Sequence, residues 1–423
     1  MIAKALRKLS GNNAGIVRDY LSLFSGSAGR LVVSLVYFIA LANTLPTGDF
    51  GIFATASGTG VVLSRIVSLG FSSPLYRIST VKPRLLGIYT AGFLVAILVS
   101  LPLFALASWL VYFVFFSRDI SFLPFAVVVF AEALFWRSTE IVIIVNNGLR
   151  RFGISAGLVI FGTATRAVAA LLFMWLASAH DIAHWAWWYA AANGGVALLA
   201  ALRFYPSIRL RFRPSLYMRR LSDAIAVMGA ELLFYIQAEL DKLLVLTVGG
   251  PATAGGLYAI IMRLVDLTAL PVRSFNMMLV QKLMRAPDML SSLRIRAGLE
   301  LAVFSVSVAG LGAMVVFLQI FPNALGSSVA PIVGLLPLVL LVPGFRNLIE
   351  YQTEILYARG QSGLRTLSMV LMTAAKAFFV WLLLVNYADS HDWILGLNIV
   401  FGGLYLLSLV FTYSSIRLPA KRI

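Results

Sequence analysis

The stretch YIQAELDKLLVLTVGG, residues 235–250, places three charged side chains in a run that is otherwise almost entirely apolar. Its length and composition are typical of a helix that crosses a bilayer, which needs about 20 mostly apolar residues. A charge that faces hydrocarbon at such a position costs about 2.5–3.5 kcal/mol. Glu239, Asp241 and Lys242 are therefore expected to face one another, a neighbouring helix or water.

The whole chain has the composition of a membrane protein. Its 423 residues are 60% hydrophobic and only 12% charged, with a mean hydropathy of +0.92, whereas soluble domains are about a quarter charged. A net charge of +17 would suit nucleic acid only on the basic face of a soluble domain, and no segment fits such a domain. The lack of cysteine excludes a disulfide scaffold, an iron–sulfur site and a thiolate zinc site. We predict an all-α polytopic membrane protein.

Twelve segments are long and apolar enough to span, and the basic residues support this number. The termini and the even-numbered connections hold most of the 34 Lys and Arg, whereas the odd-numbered connections hold only Arg118. Cytoplasmic loops are enriched in Lys and Arg, so both termini are predicted to be cytoplasmic. The basic start precedes an apolar run long enough to stay in the bilayer, so no cleaved signal peptide is expected. The predicted spans are residues 20–44, 47–73, 86–115, 121–146, 153–177, 184–202, 224–248, 253–280, 297–321, 329–357, 363–385 and 393–415.

The two halves of the chain resemble each other. PTGDFGIFA at 46–54 matches PATAGGLYA at 251–259, and TATRA at 163–167 matches TAAKA at 373–377. Six spans per half give both halves the same orientation, an arrangement found in transporters that rock two bundles about a central site. The predicted units are an N-terminal six-helix bundle (1–202), a basic cytoplasmic linker (203–223) and a C-terminal six-helix bundle (224–423).

Two parallel bundles and the run ELDKLLVLTVGGPATAGGLYAIIMRL resemble the polysaccharide-transporter branch of the multidrug/oligosaccharidyl-lipid/polysaccharide (MOP) flippase superfamily. The matching features are the Asp241–Lys242 pair, the glycine turn at Gly249 and Gly250, and a Gly-x-Tyr that ends at Tyr258. The resemblance implies a MATE-like fold in the bacterial inner membrane. It also implies that the protein flips a polyprenyl-diphosphate-linked oligosaccharide from the cytoplasmic to the periplasmic leaflet. Such lipids supply O-antigen, capsule or exopolysaccharide synthesis, so a polysaccharide polymerase and chain-length proteins are expected partners.

Helical spacing sorts the charges within the spans. Residues three or four positions apart share a helix face and can neutralise each other, with a structural role or a substrate or ion role both open. Asp241 could take a proton or a sodium ion as the coupling ion, or it could lock two helices together. The spaced pairs are Glu239/Lys242, Arg263/Asp266, Arg137/Glu140 and Arg346/Glu350.

Basic residues without a local acid are the predicted substrate site. Arg30, Arg65 and Arg273 are expected to bind the diphosphate, because the planar arginine fork suits phosphate oxygens. Pro271 is predicted to kink its helix and act as a hinge. Arg166 and Lys376 occupy matched positions in the two halves, which favours a shared structural role.

The sequence gives little support for catalysis, a cofactor or a metal. The three histidines, His180, His184 and His391, all fall in predicted outer loops, and no phosphate-binding glycine loop or nucleophile arrangement occurs. Three alternatives to the flippase remain. They are a cation-coupled multidrug exporter of the same superfamily, a lipid II flippase, and a membrane glycosyltransferase, polymerase or ligase. The short outer loops argue against the last of these.

Overall fold

The computed structural model describes residues 31–285, 292–326, 328–387, 392–416 and 418, and every regular element in these ranges is helical. Helices suit these apolar runs because they satisfy each backbone polar group within one segment, as hydrocarbon surroundings require. The α-helices, in chain order, are α1 (Leu31–Thr44), α2 (Thr47–Leu63), α3 (Ser72–Val81), α4 (Leu86–Val111), α5 (Phe122–Phe130), α6 (Arg137–Gly148), α7 (Phe152–Leu176), α8 (Ile182–Leu199), α9 (Pro214–Met218), α10 (Leu221–Val248), α11 (Ala252–Arg285), α12 (Leu293–Ile320), α13 (Val342–Ala358), α14 (Ser362–Tyr387) and α15 (Asp392–Ile416).

Within the described ranges, seven helices are long and apolar enough to cross a membrane, or nine if each of two bent pairs counts as one span. Large apolar side chains such as Trp175 on α7 and Ile399 on α15 are exposed, as expected for surfaces that face lipid. The chain is therefore a multi-pass membrane protein. The number of twelve spans and the cytoplasmic position of both termini stay predictions.

Two spans that hydropathy predicts as continuous helices are bent. The helical segments on either side of residues 64–66 meet at 50°, and Ser68, Leu69 and Gly70 follow with φ of 73°, 49° and 74°. Such left-handed values favour glycine, so Gly70 suits the break. The 3₁₀ segment Ala330–Val339 meets α13 at 59°, and its prolines remove backbone donors that a longer α-helix would use.

The basic linker is held by the first half. The short helix α9 places the buried ring of Tyr217 against Gly92 of α4, and the Arg211 amide donates to the Gly87 carbonyl at 3.4 Å. The arginine side chains of the linker are exposed. Residues 203–223 therefore lie against α4, with their arginine side chains exposed.

The two halves meet where their repeated motifs lie, at the start of α2 and the start of α11. A Cβ atom on Gly51 would collide with the backbone of Gly256, and one on Gly256 would collide with the carbonyl oxygen of Thr47. Small residues let helix backbones approach closely in membranes, where packing rather than the hydrophobic effect drives association. The segments 46–54 and 251–259, which identify the repeat in the sequence, thus form a contact between the halves.

Adding one methyl group at this contact should weaken it. Gly51→Ala and Gly256→Ala are each expected to lower the free energy of unfolding by about 1–3 kcal/mol, because backbone atoms cannot move aside as a flexible side chain can. Thermal unfolding of the detergent-purified protein measures this. Gly157→Ala on α7 is the matched control, since no atom lies within 4 Å of its added Cβ. Equal unfolding temperatures for all three variants would contradict the close contact.

Candidate functional site

A cavity of about 270 Å³ lies between the halves. The first half contributes α1, α2, α7, α8 and the π-helical turn Ala131–Trp136, and the second half contributes α10 and α11. One wall is aromatic and aliphatic, formed by residues such as Phe38 and Phe53. The polar lining residues are Ser34, Tyr37, Ser57, Glu132, Thr163, Arg166, Tyr189, Lys242, Arg263 and Asp266.

Glu132 anchors the polar groups of the first half. Its carboxylate accepts hydrogen bonds from the Tyr189 hydroxyl and, at 2.9 Å, from the Ser57 hydroxyl. Arg166 lies 3.8 Å from it, donates to the Asn193 amide oxygen at 2.9 Å, and lies over the Trp136 ring. The carboxylate is thus already shared among three groups, and Arg166 is only loosely paired.

The second half brings two further pairs to the cavity. Lys242 donates to Glu239 at 2.6 Å, so this i,i+3 pair forms as the spacing predicts. Asp266, in contrast, pairs with Arg346 of α13 at 2.9 Å and not with Arg263. Glu239 lies against Gly58 of α2, where a Cβ would meet its carboxylate.

Because Asp266 pairs with Arg346, Arg263 is left without an acidic partner on its own helix. Its guanidinium reaches across the cavity and donates to the Ser34 hydroxyl of α1 in the first half. Throughout the described ranges no carboxylate forms an ion pair with it, because Asp266 is taken by Arg346. A cation in a cavity, held only by a neutral hydroxyl, retains most of its capacity to bind an anion.

Asp241 lies behind the cavity in a buried cluster. It accepts from the Tyr258 hydroxyl at 2.5 Å and pairs with Lys376 at 3.0 Å, and Lys376 also donates to the Gln237 carbonyl. These bonds join α10, α11 and α14, which favours the helix-locking role over ion binding. Arg166 and Lys376, matched in sequence, each lie near an acid and an aromatic ring. Arg166 has Glu132 and the Trp136 ring, and Lys376 has Asp241 and the Phe401 ring.

Of the three arginines predicted to bind the diphosphate, the two that the structure describes, Arg65 and Arg273, do not line the cavity. Arg30 lies outside the described residues. Arg65 is buried in ion pairs with Glu140 and Glu231, and Arg273 pairs with Glu350 at 3.1 Å.

Two of the pairings predicted from spacing along one helix, Arg263/Asp266 and Arg346/Glu350, are wrong. Arg65 and Arg273 have acidic partners on other helices, and Glu350 pairs with Arg273 rather than with Arg346, four positions away. The spacing of residues along one helix does not predict an acidic partner that comes from a neighbouring helix.

Three further points concern single residues. Helix α11 runs from Ala252 to Arg285 without interruption through position 271, so the predicted hinge at Pro271 stays a prediction. The sequence did not identify Glu132 and Tyr189 as cavity residues, and for Arg166 it favoured a structural role. The π turn that carries Glu132 is a feature often found at functional sites, but it has no signal in the sequence.

Asp181 caps the start of α8 and bonds to His184. Asp181 accepts from the His184 amide and ring at 2.8 Å each, and the amide bond above all lowers the pKa of this carboxyl group. In the ranges that the structure describes, no three His, Cys, Asp or Glu residues lie where they could hold a metal. His391 falls outside those ranges.

The fold is that of MATE-family transporters. The chain is similar to an inward-facing multidrug resistance MATE transporter of the MOP superfamily, with 13% identity, 94% of each chain covered and a TM-score of 0.59. An outward-facing MATE transporter matches with 13% identity, 95% of each chain and a TM-score of 0.55. A MOP-superfamily transporter from Pyrococcus furiosus, described as having a binding pocket of reverse polarity, matches with 12% identity, 95% of this chain, 96% of its own and a TM-score of 0.54. No protein-family model and no curated protein matches the chain.

The buried Asp241–Lys376 pair provides a stability test. Lys376→Met is expected to cost about 3–5 kcal/mol, because it leaves an uncompensated charge at a buried site. Adding Asp241→Asn should restore most of the loss, since the double variant buries no charge. Thermal unfolding in detergent measures both, with Lys82→Met at an exposed position as control. A double variant no more stable than the single one would show that the pair is not coupled.

Proposed function

We propose that this protein is a flippase that moves a polyprenyl-diphosphate-linked oligosaccharide from the cytoplasmic to the periplasmic leaflet by alternating access. Its product would serve the synthesis of a surface polysaccharide such as O-antigen, capsule or exopolysaccharide. The MATE-like fold supports a transporter, because the solved structures with this fold include inward-facing and outward-facing forms. The substrate class rests on the charge of the cavity.

The observation that carries the proposal is the cationic excess of the lining. Three basic residues (Arg166, Lys242 and Arg263) and two acidic ones (Glu132 and Asp266) face the cavity. Both acids are engaged by other groups, whereas Arg263 has only Ser34. A pocket with more basic than acidic residues, and with an arginine that has no acidic partner, attracts anions and repels cations. A diphosphate is the anionic part of a polyprenyl-linked sugar, and it offers several oxygens to an arginine fork.

The arginines predicted from the sequence have a place in this scheme. By the predicted topology, Arg65 and Arg273 lie nearer the cytoplasmic side than Arg263, so they would contact the diphosphate on its way to the cavity. The sugar would then occupy the polar cavity while the polyprenyl tail stays in lipid. A flexible Pro271, a proton or sodium gradient, or the membrane potential would supply movement and direction.

A cation-coupled multidrug exporter is the second candidate, and the structural similarity to multidrug MATE transporters favours it. Such a protein needs acidic groups free to bind a cationic drug. The reverse polarity stated for the Pyrococcus furiosus transporter indicates that this fold accommodates pockets of different charge. The cavity charge therefore discriminates the two candidates better than the fold does.

Genetic complementation tests the proposal. Deleting the gene should abolish a surface polysaccharide and leave lipid-linked oligosaccharide in the cytoplasmic leaflet, and wild-type protein should restore the polysaccharide. Arg263→Gln is expected to reach the membrane normally yet restore less than about a tenth, since a charge-assisted bond to phosphate contributes about 1.5–3 kcal/mol.

The control for charge is Arg84→Gln, which removes an exposed arginine that does not line the cavity and should restore the polysaccharide fully. Intact polysaccharide in the deletion strain, together with new sensitivity to cationic drugs, would replace the flippase with the exporter. Full restoration by Arg263→Gln would refute the assignment of the cavity arginine.

A further inference from the structure

Four charged residues form a cluster between the halves, separate from the cavity. Arg65, Arg137 and Glu140 come from the first half, and Glu231 on α10 comes from the second. Glu140 pairs with Arg137 at 2.7 Å and with Arg65 at 3.2 Å. Glu231 reaches the same two arginines at 3.4 and 3.6 Å. In this cluster, the positive charge of two arginines in the first half is thus partly neutralised by Glu231 of the second half.

The residues of this cluster differ in burial and in how closely they pair. The arginine side chains are only 5% and 3% exposed, whereas that of Glu231 is 34% exposed. Glu231 meets both guanidinium groups through a single oxygen, Oε2, and at longer distances than Glu140 does. The buried Nε of Arg137 has no hydrogen-bond partner in the structure. Glu231 is therefore the most weakly held member of the cluster, and the one that a competing anion would displace first.

The charge balance depends on contact between the halves. With Glu231 in place, two arginines face two carboxylates, and the cluster is neutral. If α10 moves away from the first half, two arginines remain with Glu140 alone, and an uncompensated positive charge is left at a buried site, which is strongly unfavourable. Tyr235, which covers the Arg65 guanidinium at 4.2 Å, lies one turn further along α10 and would leave with Glu231.

We propose that Glu231 stands in for the substrate's diphosphate at Arg65 and Arg137, and that an arriving diphosphate displaces it when the halves part. This inference rests on the proposed function and adds to it a binding site outside the cavity and a reason for the halves to open. A ligand shifts a conformational equilibrium only by binding one state better than the other. A diphosphate does so here, because the arginines accept it only after Glu231 has left.

Binding of farnesyl diphosphate, a short polyprenyl diphosphate, to the detergent-purified protein tests this directly. Glu231→Gln should bind it about tenfold more tightly than wild type, because the internal competitor has lost its charge. Adding Arg65→Gln or Arg137→Gln should remove that gain. Inorganic pyrophosphate is the second probe; it should show the same gain if the headgroup alone is recognised, and a gain confined to farnesyl diphosphate assigns the site to the lipid form.

Glu354→Gln is the matched control. Glu354 is also a partly exposed carboxylate paired with an arginine, Arg365, at 2.9 Å, but both lie in the second half. Its removal should leave diphosphate binding unchanged. An equal gain from this variant would mean that any lost negative charge promotes binding, and would overturn the assignment to Glu231.

A distance measurement keeps the test independent of affinity. The chain has no cysteine, so spin labels at introduced Lys82→Cys and Arg294→Cys, both exposed, report the separation of the halves. Farnesyl diphosphate should lengthen this distance in wild type, and Glu231→Gln should lengthen it without ligand. Glu231→Asp keeps the charge on a shorter side chain, so without ligand its distance should lie between those of wild type and Glu231→Gln. This variant provides a second test if Glu231→Gln folds poorly.

The outcomes distinguish a failure of the role given to Glu231 from a failure of the proposed flippase function. If wild type binds farnesyl diphosphate but Glu231→Gln changes neither affinity nor distance, the inference is overturned and the proposed function stands. If wild type and all variants bind no diphosphate, and a cationic drug binds instead, both are overturned.

Discussion

The cost of leaving a charge unpaired in hydrocarbon is the constraint on which this structure depends. The chain keeps many acidic and basic side chains inside its helices, and most of those in the buried interior that the structure describes pair with an opposite charge. Most of the partners lie on other helices: Asp266 with Arg346, Asp241 with Lys376, and Glu231 with Arg65. The charges therefore help to decide which helices are neighbours, alongside close backbone contacts such as the one between Gly51 and Gly256.

The same constraint makes the exceptions informative. Arg263 reaches into a cavity between the halves and finds only a hydroxyl, although Asp266 is three residues away on the same helix. An arginine can persist in this condition if the cavity is wet or if an anion occupies it for part of the time. The proposed diphosphate substrate gives that arginine a partner. In the other cluster, Glu231 balances the charge of Arg65 and Arg137 only while the two halves are in contact.

The sequence predicts the helices and the identity of the buried charges, but not how the charges pair. Apolar length and the Lys and Arg distribution are properties of each segment alone, so they survive without tertiary information. Spacing predicted Glu239/Lys242 and Arg137/Glu140 correctly, because those side chains share a helix face and no closer partner intervenes. It failed for Arg263 and Arg346, since Asp266 and Glu350 each find an arginine on another helix. The break at Ser68–Gly70 and the π turn that carries Glu132 likewise depend on packing between helices.

Transport by the purified protein in proteoliposomes tests the central claim, that the cavity serves an anion. A fluorescent polyprenyl-diphosphate sugar and a cationic dye such as ethidium would be offered to the same vesicles, with wild type and Arg263→Gln compared. Wild type is expected to move the diphosphate lipid between leaflets, the variant is not, and neither is expected to move the dye. Movement of the dye with the lipid left in place would show that the cavity does not serve an anion.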